Sequence, residues 1–272
     1  MKVVKQSWSR SLWIVIACAG LLVSCQKSSQ QQGQQKTDQQ QPATATKDST
    51  QQQGPVHQAP QPGEATTSTR STSEQLVPLD IKLPKPMFVG TPTNVAVPNL
   101  EKPLGKPRPP FLAPEGTRNV ALKRPVTSSD EQPIIGELSL ITDGDKEAAE
   151  GSFVELGPKL QYVTIDLKGR NTIYAIALWH YHKQPAVYHD VIVQVADDPD
   201  FISNVQAVFN NDIDNSSGRG VGKDMSYVET SEGKLIDAKG VQGRYVRLYS
   251  RGNTANELNH YIEVEVYGKA VQ

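Results

Sequence analysis

A fifteen-residue stretch, Asn210–Asp224, combines the residue types that could hold a metal ion: three aspartates, three asparagines and three glycines. An EF-hand loop needs glycine at its sixth position and a bidentate glutamate at its twelfth. Counted from Asp212, these positions hold Ser217 and Lys223, and the lysine charge would repel the cation. The pattern therefore excludes an EF-hand. As a long connection the stretch can shape a binding rim, and it offers three candidate ligand contacts: Asp212, Asn215 and Arg219.

Two histidines raise a zinc alternative. His180 and His182 are two residues apart in a segment with strand periodicity, so they face the same side, and His189 or His260 could complete a ligand set. The rings could equally hydrogen-bond at a half-buried strand end, and no Glu or Cys stands beside them. Catalysis would need a nucleophile with an adjacent base, or two carboxylates that face each other in a cleft. The sequence shows neither pattern, so we predict that the protein is not an enzyme.

Five segments alternate apolar and polar residues with period two, which predicts β-strands. The pattern places Val163, Ile165 and Leu167 on one buried face. Gly, Asp and Asn turns separate the segments, and no comparable helical periodicity occurs. These features predict an all-β, antiparallel sandwich. The five segments are Gln161–Leu167, Ile173–His180, Asp190–Val195, Arg244–Tyr249 and His260–Tyr267.

The N-terminus, residues 1–25, has the features of an export signal. Basic residues precede an apolar run from Leu12 to Val23 that is too short to span a bilayer permanently. The run ends Leu22-Val23-Ser24-Cys25, which resembles a bacterial lipobox with Cys25 as the lipid (palmitate) acceptor. We therefore expect an exported protein that is lipid-anchored to a bacterial membrane, at the outer membrane or the cell surface. An ordinary cleavable signal and an uncleaved anchor helix are the alternatives.

Two further segments precede the predicted strands. Residues 26–74 are Gln-rich and almost without branched aliphatic side chains, which predicts a disordered tether. Residues 75–117 combine prolines with large apolar side chains, so we expect an extended segment that lies partly against the folded domain; an exposed polyproline ligand for a partner is the alternative. The chain has 28 basic and 29 acidic side chains, which gives no basic footprint for nucleic acid.

Five motifs follow one another along residues 118–268: Asn119–Ser129, Thr142–Asp145, Val163–Leu167, Arg244–Leu248 and Ile262–Gly268. In this order they resemble the coagulation factor 5/8 type C (discoidin) family. The resemblance implies a galactose-binding-like jelly roll, similar to family 32 carbohydrate-binding modules, and hence a module that binds glycan or envelope polysaccharide. A protein-interaction or structural module of the envelope, using the same loops or the Pro-rich segment, is the alternative.

The resemblance also implies a structural calcium site. Carried over to this chain, its ligands are the carboxylates of Asp143, Asp145 and Glu263, with main-chain carbonyls near Leu140, Ala148 and Ile262. Hard oxygen donors of this kind suit Ca²⁺. The family often has a hydroxyl where this chain has Ala148. A plain Asp-Gly turn at residues 143–145 is the alternative.

Ligand contacts in such modules come from loops at one end of the sandwich. Two stretches here carry suitable side chains: Trp179–His182 with Tyr188 and His189, and Arg251–His260. A solvated turn is the alternative for the second stretch. The candidate ligand-binding residues are Trp179, His180, His182, His189, Arg219, Arg251, Asn253, Asn256 and Asn259.

Overall fold

The computed structural model describes residues 74–88, 90 and 95–271. The predicted signal peptide, its lipid acceptor Cys25 and the predicted tether up to residue 73 lie outside these residues. In the part of the chain that is described, no helix is both long and apolar enough to cross a membrane.

The described residues form eleven antiparallel strands and one short 3-10 helix, which confirms the predicted all-β class. The 3-10 helix is Leu138–Thr142. The strands are β1 (Leu76–Pro78), β2 (Leu112–Pro114), β3 (Arg118–Asn119), β4 (Val126–Ser128), β5 (Val154–Leu156), β6 (Gln161–Trp179), β7 (Ile192–Ala196), β8 (Gln206–Asn210), β9 (Lys234–Ser250), β10 (Asn259–Tyr261) and β11 (Glu263–Ala270).

Two long strands, β6 and β9, carry the fold. They pair along almost their whole length, and β-bulges interrupt the register between Asp166 and Asn171 and between Ile173 and Ala175. The first half of β6 also pairs with β4, and its second half pairs with β11. The later half of β9 pairs with β7, which in turn pairs with β8. The sheet is thus bent into two layers by its own longest strands.

One apolar core fills the space between the layers. Val163, Ile165 and Leu167 are buried in it, as the alternating pattern predicts. Val193 and Val195 of β7 and the apolar residues of β11 pack against them from other strands. The sequence predicted two strands where β6 is continuous, because the turn-like residues 168–170 form a bulge that the pairing with β9 spans.

The described residues of the N-terminal arm, 74–88, 90 and 95–117, are part of the folded unit. Strands β1 and β2 pair with each other, and Leu79, Ile81 and Phe111 pack on a second apolar cluster that contains Trp179 and Tyr267. The guanidinium of Arg108 donates hydrogen bonds to the carbonyl oxygens of Glu232 and Gly233, at 3.0 and 3.1 Å. The arm therefore covers the outer face of the β6 and β11 layer.

Candidate functional site

A cavity of about 220 Å³ opens at the end of the sandwich where β6 ends and β10 begins. Strands β5 and β10 pair there as a two-stranded ribbon, and the loops 181–188 and 253–256 close the sides. We call it the aromatic cavity. Its lining residues are Phe153, Glu155, Tyr181, Gln184, Ala186, Tyr188, Asn253, Asn256 and His260.

Aromatic rings form one wall of this cavity. The ring of Phe153 lies 4.8 Å from that of Tyr181 and 6.0 Å from that of His260, measured between centroids. Phe153 and Tyr188 are buried, whereas Tyr181 is half-buried. Tyr181 is therefore the ring most available to a ligand.

A hydrogen-bonded chain of three side chains runs along the floor. Nε2 of His260 lies 3.0 Å from Oε2 of Glu155, and its Nδ1 lies 2.9 Å from the hydroxyl of Tyr188. Burial lowers the pKa of His260, an effect that Glu155 partly offsets, and burial raises the pKa of Tyr188 well above its usual value. At neutral pH the tyrosine hydroxyl therefore donates to Nδ1, and Nε2–H donates to the carboxylate.

The loop 253–256 holds the side-chain amide of Asn256 in a fixed position at the cavity. The side chain of Asn253 accepts from the main-chain N–H groups of Ala255 and Asn256 and donates to Oδ1 of Asn256 and to the carbonyl of Leu258. Oδ1 of Asn256 accepts a second hydrogen bond, from the N–H of Leu258. Among the described residues Nδ2 of Asn256 has no partner, so it is a free donor at the cavity. Asn253 positions the loop, and Asn256 presents the donor.

Four of the predicted contact residues in the two stretches are buried and do not line the cavity, which corrects the prediction for them. Trp179 donates its indole N–H to the carbonyl of Ser231, and His182 donates from Nε2 to the carbonyl of Lys146. The side chain of Asn259 donates to the carbonyls of Gly157 and Lys159. The remaining one is His180. β6 ends at Trp179, and the side chains of Trp179, His180 and His182 lie inside the protein, whereas Tyr181 is half-buried.

His180 lies behind the cavity in a buried polar cluster. Its Nδ1 is 2.6 Å from Oε1 of Glu229, and its ring stacks on Tyr188 at 4.1 Å. Within the described residues, Nε2 of His180, Oε2 of Glu229 and the hydroxyl of Tyr227 have no hydrogen-bond partner. The zinc alternative gains no support, because His180 and His182 join no cluster of three metal-ligating side chains in the described residues.

The other predicted contacts are outside the aromatic cavity. His189 is exposed and lines a second, larger cavity of about 620 Å³. Arg251 approaches Asp190 at 3.6 Å, and Arg219 lies over the ring of Tyr249 at 5.1 Å. The two cavities share their walls, since Pro185, Thr254 and Ala255 face the second cavity while their sequence neighbours face the first. The other residues of the second cavity are Val95, Ala96, Val97 and Pro98 of the arm.

The Asn210–Asp224 loop brings three acidic side chains together, although not as an EF-hand. One carboxylate oxygen each of Asp190, Asp212 and Asp214 lies within 4.8 Å of the others. Asp212 is buried and accepts hydrogen bonds from the N–H groups of Ser216 and Ser217, which corrects its assignment as a ligand contact. These carboxylates close the loop on itself. Asn215 has a positive φ of 58°, and its side chain accepts from the N–H of Gly220, so it serves the turn.

The three predicted calcium-binding carboxylates differ in burial. Glu263 is buried; Oε2 accepts from the N–H of Gly144 at 3.2 Å, and Oε1 has no partner among the described residues. Burial raises the pKa of Glu263 to about 9, and the charges of Glu265 and Asp143 act in the same direction. Such an orphaned carboxylate oxygen can accept a cation, but Asp143, Asp145 and Glu263 form no cluster of three metal-ligating side chains in the described residues. Asp143 and Asp145 are exposed and accept main-chain N–H bonds within the turn.

Four cavity residues were not predicted from the sequence: Phe153, Glu155, Gln184 and Ala186. Phe153 and Glu155 belong to β5 or its immediate approach, a short strand that periodicity did not reveal, and Gln184 is in an irregular loop. Glu155 comes to the cavity because it pairs with His260 across the β5–β10 ribbon. A sequence read alone does not show which strands pair, so it could not reveal this neighbour. Tyr181, Tyr188 and His260 were within the two predicted stretches.

No family model and no curated protein matches the chain. Among solved structures, the CBM32 of AlyQ in complex with 4,5-unsaturated mannuronic acid is 18% identical, with a TM-score of 0.38, over 52% of this chain and 92% of that one. A fucose binding module of Streptococcus pneumoniae is 20% identical, with a TM-score of 0.40, over 55% of this chain and 97% of that one.

A family 89 glycoside hydrolase from Clostridium perfringens, in complex with its substrate GlcNAc-alpha-1,4-galactose, is 19% identical, with a TM-score of 0.41. The match covers 56% of this chain and only 15% of that enzyme. At these values the likeness concerns the path of the chain, and function must be argued from the site.

Proposed function

We propose that this chain is a non-catalytic, lipid-anchored protein of the bacterial cell envelope that binds carbohydrate in the aromatic cavity. The observation that carries the proposal is the lining of that cavity: aromatic rings beside Nδ2 of Asn256 and Oε1 of Glu155, which have no hydrogen-bond partner among the described residues. Its volume of about 220 Å³ has room for about seven water molecules, which is the scale of one monosaccharide.

A sugar ring has a C–H face and a rim of hydroxyls, and the cavity offers a partner for each. The half-buried ring of Tyr181 can stack on the C–H face. Nδ2 of Asn256 can donate to a hydroxyl, and the free carboxylate oxygen of Glu155 can accept from one. Gln184 is exposed beside them and adds an amide.

The same lining supports binding without catalysis. Glycoside hydrolysis ordinarily uses two carboxyl groups that flank the scissile bond. Among the residues that line the aromatic cavity, Glu155 is the one carboxylate. Its Oε2 is held by His260 in a hydrogen bond that fixes the side chain rather than freeing it to move a proton to substrate.

Calcium is part of the proposal as a structural ion. Glu263 and Asp143, with Asp145 and the carbonyls near Leu140, Ala148 and Ile262, would hold it. When bound, Ca²⁺ would neutralise buried carboxylate charge and tie the turn 143–145 to the start of β11. The unpartnered Oε1 of Glu263 supports this assignment.

Sugar binding is tested by glycan-array screening of the full chain, followed by calorimetry on the best oligosaccharide. We expect Tyr181→Ala and Asn256→Ala each to weaken binding about tenfold or more, as loss of a central contact does. Tyr174→Ala is the matched control, because this half-buried tyrosine lies on β6 outside the cavity, and it should bind as the wild type does.

Two outcomes would contradict the proposal. One is the absence of any glycan signal; capture of an envelope protein in the same sample would then favour the protein-interaction alternative. The other is unchanged affinity in both cavity variants. Trp179→Ala is not a useful probe, because this ring is fully buried and its removal perturbs the core.

A further inference from the structure

The charges that line the aromatic cavity are unbalanced. Glu155 is the one carboxylate among its lining residues, and burial lowers the pKa of His260, which favours the neutral imidazole. No lysine or arginine is among the described residues that line the cavity. The nearest basic residue in sequence on its two loops is Lys183, which is exposed and does not line it.

We propose that the aromatic cavity selects sugars by charge: a sugar with a protonated amine binds more tightly than its neutral counterpart, and a sugar with a carboxylate binds more weakly. This inference rests on the proposed function and narrows its ligand class to amino sugars. The recognising group is Glu155.

The geometry of Glu155 supports direct recognition. Its Oε2 is occupied by Nε2–H of His260 at 3.0 Å, whereas Oε1 has no hydrogen-bond partner in the described residues. The side chain is 14% exposed, so a ligand can reach Oε1 while much of the surrounding water is excluded. An ammonium group that donates to a carboxylate forms a charge-assisted hydrogen bond, which is stronger than a neutral one.

The hydrogen bonds around Glu155 keep its charge in place. Because Nδ1 of His260 accepts from Tyr188, the imidazole must direct Nε2–H at Glu155, and it cannot turn to offer a proton to a ligand carboxylate. A sugar carboxylate would thus meet a like charge with no cation among the lining residues to offset it. The amides of Gln184 and Asn256 donate to neutral hydroxyls without distinguishing charge.

The test compares three oligosaccharides of one ring configuration with the full chain: an amine form, a neutral form and a uronate form. Oligomers of glucosamine, glucose and glucuronate make one series, and their galactose-configured counterparts make the second. We expect the amine form to bind roughly fivefold tighter than the neutral form, as partly exposed ion pairs do, and the uronate form to bind roughly fivefold weaker.

Glu155→Gln should remove both differences, because the glutamine oxygen can still accept from His260 while the group that faces the ligand carries no charge. The three forms are therefore ranked against one another on the variant itself. Glu257→Gln is the matched control. It removes the same charge from an exposed position next to Asn256 that does not line the cavity, and it should preserve the ranking.

The outcomes separate this inference from the proposed function. Binding of the three forms with equal affinity, or a ranking that survives Glu155→Gln, overturns charge selection and leaves sugar binding intact. No binding in either series, with none on the array, overturns the proposed function itself. If Glu155→Gln does not fold, the affinities of the wild type are measured at about 0.05 M and about 0.5 M salt. The ratio of amine-form to neutral-form affinity must then fall at the higher salt concentration, because salt screens the charge of Glu155. A constant ratio overturns the inference.

Discussion

Glu263 shows how one buried carboxyl couples stability to pH and to metal. Burial and the charges of Glu265 and Asp143 raise its pKa to about 9, whereas the unfolded chain has the ordinary value near 4.5. Between these values the folded protein keeps a proton that the unfolded chain releases. Without metal, the free energy of unfolding should therefore fall as pH rises from about 5 to about 9, by at most about 1.4 kcal/mol per pH unit.

Chemical denaturation across this pH range, with chelator and with Ca²⁺, tests this prediction. Calcium should remove the alkaline decline, because it stabilises the ionised carboxylate. Glu263→Gln should flatten the metal-free profile and abolish the response to calcium, whereas Glu150→Gln, at an exposed position, should change neither. An unchanged slope in Glu263→Gln would show that other groups cause the pH dependence; stability that does not respond to calcium would remove the metal from the proposal.

Residue identities alone located part of the aromatic cavity. Amide-rich composition pointed to Asn253 and Asn256, and both line the cavity, because short polar side chains suit the turn that closes it. It pointed wrongly to Trp179 and His180, whose types suit a sugar site equally well but whose side chains lie in the core. Burial depends on which strand covers which, and residue type does not encode it.

At the scale of elements, the N-terminal arm packs on the sandwich as an added layer. Its strands β1 and β2 pair with each other rather than with the main sheet. The arm is attached instead by side chains and by main-chain hydrogen bonds between residues 99–101 and Ser226. Phe111 packs on the cluster around Trp179 and Tyr267, and Arg108 is tied to the turn before β9. The salt bridge between Glu101 and Lys234, at 2.6 Å, adds a third side-chain attachment.

Phe111→Ala should lower the free energy of unfolding by about 2 kcal/mol, the value of burying a large apolar side chain. Leu112→Ala is the matched control in the neighbouring position. Leu112 is 54% exposed, so its loss should cost less than about 0.5 kcal/mol. Urea denaturation measures both. Equal effects of the two variants would mean that the arm does not pack on the sheet through Phe111.

At the scale of the whole molecule, we propose that membrane attachment and ligand binding reside in separate parts of the chain. The lipid acceptor is Cys25, and the aromatic cavity is built from residues 153–260. Cys25→Ser should therefore abolish incorporation of labelled fatty acid and move the protein from the membrane fraction to the soluble fraction. Affinity for the oligosaccharide should be unchanged.

Cys18→Ser is the control, because Cys18 lies within the apolar run and is not the predicted acceptor. It should be lipidated and fractionate as the wild type does. Persistence of Cys25→Ser in the membrane fraction would favour an uncleaved anchor helix over lipidation.

The sequence by itself determined the class of fold and the buried faces of its strands. Period-two alternation is a local property, so Val163, Ile165 and Leu167 could be assigned to the core before any pairing was known. Only the tertiary structure shows which residues meet in the aromatic cavity. Glu155 and His260 are 105 positions apart, and they meet because β5 and β10 pair. Long-range pairing of this kind decides which polar groups hydrogen-bond within the protein and which stay available to a ligand.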